Sequence, residues 1–109
     1  MATLQEMRSE SRPYHTDVRW FHSETVTDAT SEPLILPSLG RDVAVAVSPG
    51  TSARVEYTLS SYAEIEADTA TWHAWPLGDV AEDALDAADG GISALRLVST
   101  GASNWEVTV

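Results

Sequence analysis

Apolar and polar side chains alternate along two neighbouring segments of the chain with the period of two that a β-strand imposes. In residues 43–48 valine alternates with alanine, and in residues 54–59 apolar residues alternate with arginine, glutamate and threonine. Residues 48–51, Ser-Pro-Gly-Thr, place proline and glycine at the positions that a type II turn requires. The pattern therefore predicts two strands joined as a hairpin.

Further segments are also predicted as strands. Residues 33–37 are apolar but bracketed by prolines, which favours an edge strand or a strap leading into the domain. Residues 69–75 predict another strand, and residues 92–99 and 104–109 predict a closing hairpin. About six short strands at this spacing predict an all-β fold, a small β-sandwich or barrel.

Two polar segments interrupt the strands. Residues 60–68 predict a polar loop or a short helical turn. Residues 79–89 fit a short helix, because Asp79 can cap it, Glu82 follows at the capping-box position and Gly90 can end it. A loop fits residues 79–89 equally well.

The first third of the chain shows neither periodicity. We interpret residues 1–33 as an extended arm ahead of a β-sandwich domain at residues 34–109. The arm carries the aromatic residues Tyr14, Trp20 and Phe21, which an isolated arm cannot shield from water. They are therefore predicted to dock on a partner or a neighbouring subunit; the alternative is that they fold back onto the chain's own core.

The net charge of the chain limits the kinds of partner that it is expected to bind. The chain has 17 acidic and 6 basic residues, a net charge of −11, and every basic residue is arginine. Residues 42–109 hold 11 of the acids against Arg54 and Arg96 only. Such a surface is a poor partner for nucleic acid. It suits a high-salt host, since the Debye length falls to about 3 Å at about 1 M salt; a GC-rich genome with an acidic surface chosen for solubility is the alternative.

The sequence has no cysteine, no signal-peptide pattern at its start and no apolar run of about 18 residues. We expect no disulfide and no membrane as partner. A chain of 109 residues is long enough for one domain and relies on strand pairing, packing or oligomerisation for stability.

No standard catalytic set is recognisable. His15, Asp17 and His22 match no strong zinc spacing, and the acids of residues 79–89 lack the pattern of a calcium loop. His73 has no identifiable nucleophile or orienting partner near it in sequence. We therefore predict no catalytic, cofactor or metal site, and a structural or binding protein rather than an enzyme.

Trp72 and Trp75 lie three residues apart on the predicted strand 69–75, so they face opposite sides and at most one belongs to the core. Trp75, next to Pro76, is predicted as the surface contact. Packing against a neighbouring subunit is the simpler role for it, and stacking on a sugar ring is the alternative.

The stretches Val55–Ser60 (VEYTLS), Trp72–Asp79 (WHAWPLGD) and Ala94–Leu97 (ALRL) together resemble small β-domain structural proteins of tailed viruses. The resemblance covers residues 43–109 and implies a virion component without an active site. It implies an oligomeric capsid decoration or turret-type protein, expected as a trimer, whose arm docks on the major capsid protein or another virion protein. Assembly would take place in the host cytoplasm, and the acidity would fit a salt-loving archaeal host.

Three other functions stay open at this point. The chain could be a tail, baseplate or head-to-tail component of a virion with the same fold. It could be a carbohydrate-binding β-sandwich module that uses Trp75. It could also be an acidic inhibitor that mimics nucleic acid, if the acids of residues 79–89 form one patch.

Overall fold

The computed structural model describes residues 3–11, 18–37, 42–88 and 91–109. Ten strands and one short helix are found in these residues, and the strands form two five-stranded sheets. The elements are β1 (Gln5–Glu6), β2 (Arg8–Ser11), β3 (Val18–Thr27), β4 (Leu34–Ile35), β5 (Val43–Ser48), β6 (Ser52–Thr58), α1 (Tyr62–Glu66), β7 (His73–Ala74), β8 (Ala84–Ala88), β9 (Ala94–Thr100) and β10 (Ala102–Thr108). The predicted all-β sandwich is confirmed, with more strands than expected.

The chain crosses several times between the two sheets, although β2 and β3 share the second sheet and β6 and β7 share the first. The first sheet has the order β1-β4-β9-β6-β7 and the second the order β2-β3-β10-β5-β8. β1 and β4 run parallel, and the other neighbouring pairs are antiparallel. The core lies between the two sheets.

Alternate residues of the long strands fill this core. Each buried aliphatic side chain contributes about 1.5–3 kcal/mol relative to an exposed one. Trp105, on the central strand of the second sheet, is 1% exposed and is the largest fully buried side chain. The other buried members of the core are Met7, Val26, Leu34, Leu36, Val43, Val45, Val47, Ala53, Val55, Trp75, Leu95, Leu97 and Val107.

The predicted hairpin of residues 43–48 with 54–59 is wrong, although both segments are strands. β5 pairs with β10 and β8 in the second sheet, whereas β6 pairs with β9 and β7 in the first. The turn between them is therefore an arch from one sheet to the other. Alternation identifies a strand and its buried face, but it does not select the partner strand.

The predicted closing hairpin is wrong for the same reason, because β9 and β10 also belong to different sheets. The two arches pack together: a Cβ on Gly50 would lie 2.5 Å from the backbone nitrogen of Ala102. Gly101 has a φ of 77°, which favours glycine, and its N–H donates to the Asp28 carboxylate at 2.7 Å. Only glycine fits at these two turns.

The predicted arm is wrong for residues 18–27. These residues form β3, which pairs with β10 from Thr27 to Phe21 and with β2 on its other side. Its inward positions are Trp20, His22, Glu24 and Val26, so half of them are polar. The hydrophobic alternation that would have revealed the strand is therefore missing.

Residues 84–88 form the edge strand β8, so neither the helix nor the loop predicted for residues 79–89 is found there. The last residue of this predicted segment, Asp89, and its predicted stop, Gly90, lie outside the described residues. The short helical turn predicted within residues 60–68 is confirmed as α1, where Ser61 and Glu64 form a capping box. No helix in the described part of the chain is long and apolar enough to span a membrane.

Candidate functional site

The residues predicted to dock on a partner do not form one surface. Tyr14 lies outside the described residues. Trp20 and Phe21 are neighbours on β3, so their side chains point to opposite faces of the second sheet. Trp20 packs against the core, whereas Phe21 faces outward between the guanidinium groups of Arg8 and Arg19. Trp20 and Phe21 therefore do not face the same partner surface, as the prediction requires.

The prediction of Trp75 as a surface residue is wrong. Trp75 is 3% exposed, and its indole Nε1 donates to the Asp86 carboxylate at 3.1 Å. Its backbone N–H donates to the Val55 carbonyl, which turns the side chain into the sandwich just after β7. Trp72 is the partly exposed member of the pair, and the Arg96 guanidinium lies 4.3 Å from its ring centroid.

A cavity of about 430 Å³ opens at one end of the sandwich, between β1, β3, β4 and α1. We call it the end cavity. Its lining is mainly apolar, and it includes the aromatic residues Trp20 and Tyr62 and the acidic residue Glu6. The full lining is Leu4, Glu6, Met7, Trp20, Ile35, Leu36, Pro37 and Tyr62.

Backbone pairing holds the walls of the end cavity in place. The parallel pairing of β1 with β4 sets Glu6 beside Ile35. Trp20 exchanges two backbone hydrogen bonds with Val109, at 3.2 and 3.0 Å. Tyr62 is the first residue of α1, whose start is fixed by its capping box. The cavity is therefore built from elements that are anchored independently of any ligand.

Exposure separates the inner wall of the end cavity from its opening. Met7 and Leu36 are 7% and 2% exposed and belong to the core. Tyr62 is 50% exposed, and Glu6 is also exposed. The polar groups of the lining therefore lie at the opening, and the inner wall is apolar.

A second group of polar side chains lies inside the sandwich around Glu24. One carboxylate oxygen, Oε1, accepts from Gln5 Nε2 and from the indole Nε1 of Trp105, both at 3.0 Å. His22 Nε2 lies 3.2 Å from the same oxygen but outside hydrogen-bonding geometry, and it is buried. Because two donors already converge on Oε1, we assign this cluster to holding β1, β3 and β10 together.

The cluster offers few ligands for a metal. His22 and Glu24 are its only members with metal-binding side chains, and no group of three or more histidine or acidic side chains suited to a metal ion occurs in the described residues. His15 and Asp17 lie outside the described residues.

An ionic network covers the outer face of the first sheet. Glu56 accepts from Arg96 at 2.7 Å and from Arg54 at 3.1 Å, and Arg54 also lies 3.2 Å from Asp79. Both arginines are thereby paired with carboxylates. Neither Arg54 nor Arg96 is therefore left free on this face to attract an anion.

No protein-family model matches this chain, and no curated protein matches it in sequence. Among solved structures, its fold is similar to a chain of the crystal structure of hydroquinone 1,2-dioxygenase from Sphingomonas sp. TTNP3 with 4-hydroxybenzoate bound. The match has a TM-score of 0.51 at 14% sequence identity and covers 97% of this chain. The chain spans 65% of the length of the dioxygenase chain. At this identity the match shows a shared fold alone.

This comparison corrects the predicted function. The chain was expected to be a virion decoration or turret-type protein, but the solved structure that shares its fold is a dioxygenase and not a virion protein. The tail-component and carbohydrate-binding alternatives gain no support from the match either. The expected oligomeric state, location and high-salt adaptation stay predictions.

The end cavity was missed by sequence reasoning. Its walls come from segments that are far apart along the chain, at residues 4–7, 20, 35–37 and 62. The apolar segment bracketed by Pro33 and Pro37 was the one local signal, and it was interpreted as an edge strand or a strap, whereas β4 lies between β1 and β9. Only the pairing of β1 with β4 shows that this segment forms a wall.

Proposed function

We propose that this chain binds a small aromatic molecule in the end cavity. The observation that carries the proposal is the cavity's size together with its lining. Ligand pockets commonly have volumes of about 300–1,000 Å³ and mostly apolar walls with a few polar groups. The end cavity, at about 430 Å³, has both properties.

The lining favours an aromatic ligand. Trp20 and Tyr62 supply aromatic rings, and ring pairs in offset or edge-to-face contact gain about 0.5–1.5 kcal/mol beyond burial. Met7 adds a polarisable thioether, which also interacts well with aromatic rings. A flat ring that reaches the apolar inner wall would contact all three side chains.

The charge of Glu6 selects among aromatic ligands. Its carboxylate lines the opening, so a ligand that carries a hydroxyl or an ammonium group can donate to it in a charge-assisted hydrogen bond. An anionic ligand would face this carboxylate and the overall charge of −11. We therefore expect uncharged phenols and aromatic amines to be preferred over aromatic acids.

The ligand named for the dioxygenase structure, 4-hydroxybenzoate, is a single-ring aromatic molecule, which supports the size class of the proposed ligand. It also carries a carboxylate, which Glu6 disfavours. The ligand proposed for this chain and 4-hydroxybenzoate therefore differ in charge, and the resulting difference in affinity for this chain can be measured.

The test is a titration of the full chain with tyramine, p-cresol and 4-hydroxybenzoate, followed by calorimetry and by tryptophan fluorescence. Tyramine and p-cresol should bind more tightly than 4-hydroxybenzoate, and Glu6→Gln should reduce this preference. Ile35→Trp should fill the cavity and abolish binding. Leu77→Trp, at a residue 45% exposed and outside the lining, is the matched control and should bind like the unchanged chain.

Two results would overturn the proposal. One is an absence of binding for all three compounds to a chain whose fold is verified by circular dichroism. The other is equal binding by Ile35→Trp and the unchanged chain, which would place the ligand elsewhere. Tightest binding of 4-hydroxybenzoate would overturn the assigned role of Glu6.

A further inference from the structure

The outward side chains of the second sheet form a surface that differs in charge from the rest of the molecule. We call it the open face. Strand register places Arg8, Phe21, Thr108, Ala44 and Ala87 in one row across all five strands. Three neighbouring members of this row, Thr108, Ala44 and Ala87, therefore have small side chains.

The adjacent row on the open face is also largely exposed. It runs from Ser23 through Glu106 and Ala46 to Leu85. Leu85 is 73% exposed, more than any other large apolar residue described, and Ser23 and Glu106 are exposed. Small residues next to an exposed leucine allow a second sheet to approach to the usual spacing of about 10 Å.

The outward side chains of these five strands carry no net charge. Their outward charged residues are Arg8 and Arg19 against Glu10 and Glu106, two of each sign. The whole chain carries −11. Two copies of the chain repel one another, and the repulsion is weakest when they meet through this face.

Two of these charges are left without an ion pair. Arg19 pairs with Glu10 at 3.2 Å. Arg8 contacts the Phe21 ring, and in the described part of the chain neither Arg8 nor Glu106 forms a salt bridge. One positive and one negative group on the same face is the arrangement that a two-fold interface needs, since residue i of one copy meets residue j of the other and the reverse.

We propose that the open face binds a second copy of this chain in a symmetric dimer, with Arg8 of each copy paired to Glu106 of the other. Leu85 and the row of alanines supply the apolar contact, and the reciprocal ion pairs fix the orientation. The proposal is independent of ligand binding, because the end cavity lies between β1, β3, β4 and α1 and its lining shares no residue with the open face.

The chain mass of 11.7 kDa makes a dimer easy to distinguish by size-exclusion chromatography with light scattering and by sedimentation over a range of protein concentrations. The unchanged chain should have twice the mass of one chain. Leu85→Arg and Glu106→Arg should each weaken the dimer at least about tenfold. Glu66→Arg, an exposed residue of α1 with the same charge change, is the matched control and should leave the dimer intact.

A charge swap tests the ion pair directly. Arg8→Glu alone should weaken the dimer, and the double variant Arg8→Glu with Glu106→Arg should restore it. A chain that stays monomeric at every concentration, in low and in molar salt, would overturn the proposal. So would a mass of three chains, a dimer that Leu85→Arg leaves unchanged, or a double variant as weak as the single ones.

Discussion

Two tryptophans at different places in the sandwich each bury an indole N–H that needs a hydrogen-bond acceptor. Trp105 lies on the central strand of the second sheet and donates to Glu24, whereas Trp75 follows the edge strand β7 and donates to Asp86 on the edge strand β8. In both cases an indole N–H inside the core is satisfied by an inward carboxylate of the second sheet. Each carboxylate in turn needs a donor inside the protein.

The difference lies in how many groups depend on each carboxylate. Glu24 accepts from Gln5 as well as Trp105, and so connects β1 of the first sheet to the second. Asp86 accepts from Trp75 and from the N–H of the next residue, Ala87. The central pair therefore ties the two sheets together through several elements, whereas the edge pair holds one loop against one edge strand.

The largest expected effect is the removal of an indole. Trp105→Ala should lower the free energy of unfolding by about 3–5 kcal/mol, because it removes a large side chain from the middle of the core. Trp75→Ala should fall at the lower end of that range, since the loop that carries Trp75 can relax. Urea denaturation of both variants measures the difference, and an equal loss would show that centre and edge do not differ.

The next effect concerns the carboxylates. Glu24→Leu should cost about 2–4 kcal/mol, because it leaves two donors without an acceptor at about 1–3 kcal/mol for each buried group. Asp86→Leu should cost about 1–3 kcal/mol, since chiefly the Trp75 indole is orphaned. Glu24→Gln keeps an acceptor oxygen and is the control. A larger loss of unfolding free energy for Asp86→Leu than for Glu24→Leu would contradict the expected difference between centre and edge.

The smallest expected effect is that of replacing Trp72. Trp72 is partly exposed and contacts the Arg96 guanidinium, and cation–π pairs near the surface contribute about 0.5–1 kcal/mol. Trp72→Ala should therefore cost about 1 kcal/mol. A double-mutant cycle with Arg96→Ala isolates the pair, and a coupling energy of zero would contradict a stabilising role.

The sequence predicted the positions of four strands better than the strands with which they pair. Alternation located the strands β5, β6, β9 and β10, because each buries alternate apolar residues against the core. It could not tell that β5 and β6, and likewise β9 and β10, lie in opposite sheets, since an arch and a hairpin have the same buried positions and similar turn residues. The predicted pairings were wrong for that reason alone.

Polar residues at inward positions account for the other errors. Because His22 and Glu24 occupy inward positions, β3 was predicted as part of an arm. Because Asp86 occupies an inward position, β8 was predicted as a helix or loop. The assignment of Trp72 and Trp75 to surface and core was reversed, because the acceptor for the Trp75 indole lies 11 residues further along the chain. The end cavity could not be predicted, since no single segment carries its lining.

The two arches have a consequence for how the chain reaches this structure. Because neighbouring segments cross between the sheets, the central pairing joins Glu24 to Trp105, and it can form only after a long loop has closed. Proteins dominated by such distant pairings fold on the order of milliseconds to seconds, more slowly than helical domains. The ribosome must release the residues up to the end of β10 before this strand can enter between β3 and β5 and complete the second sheet.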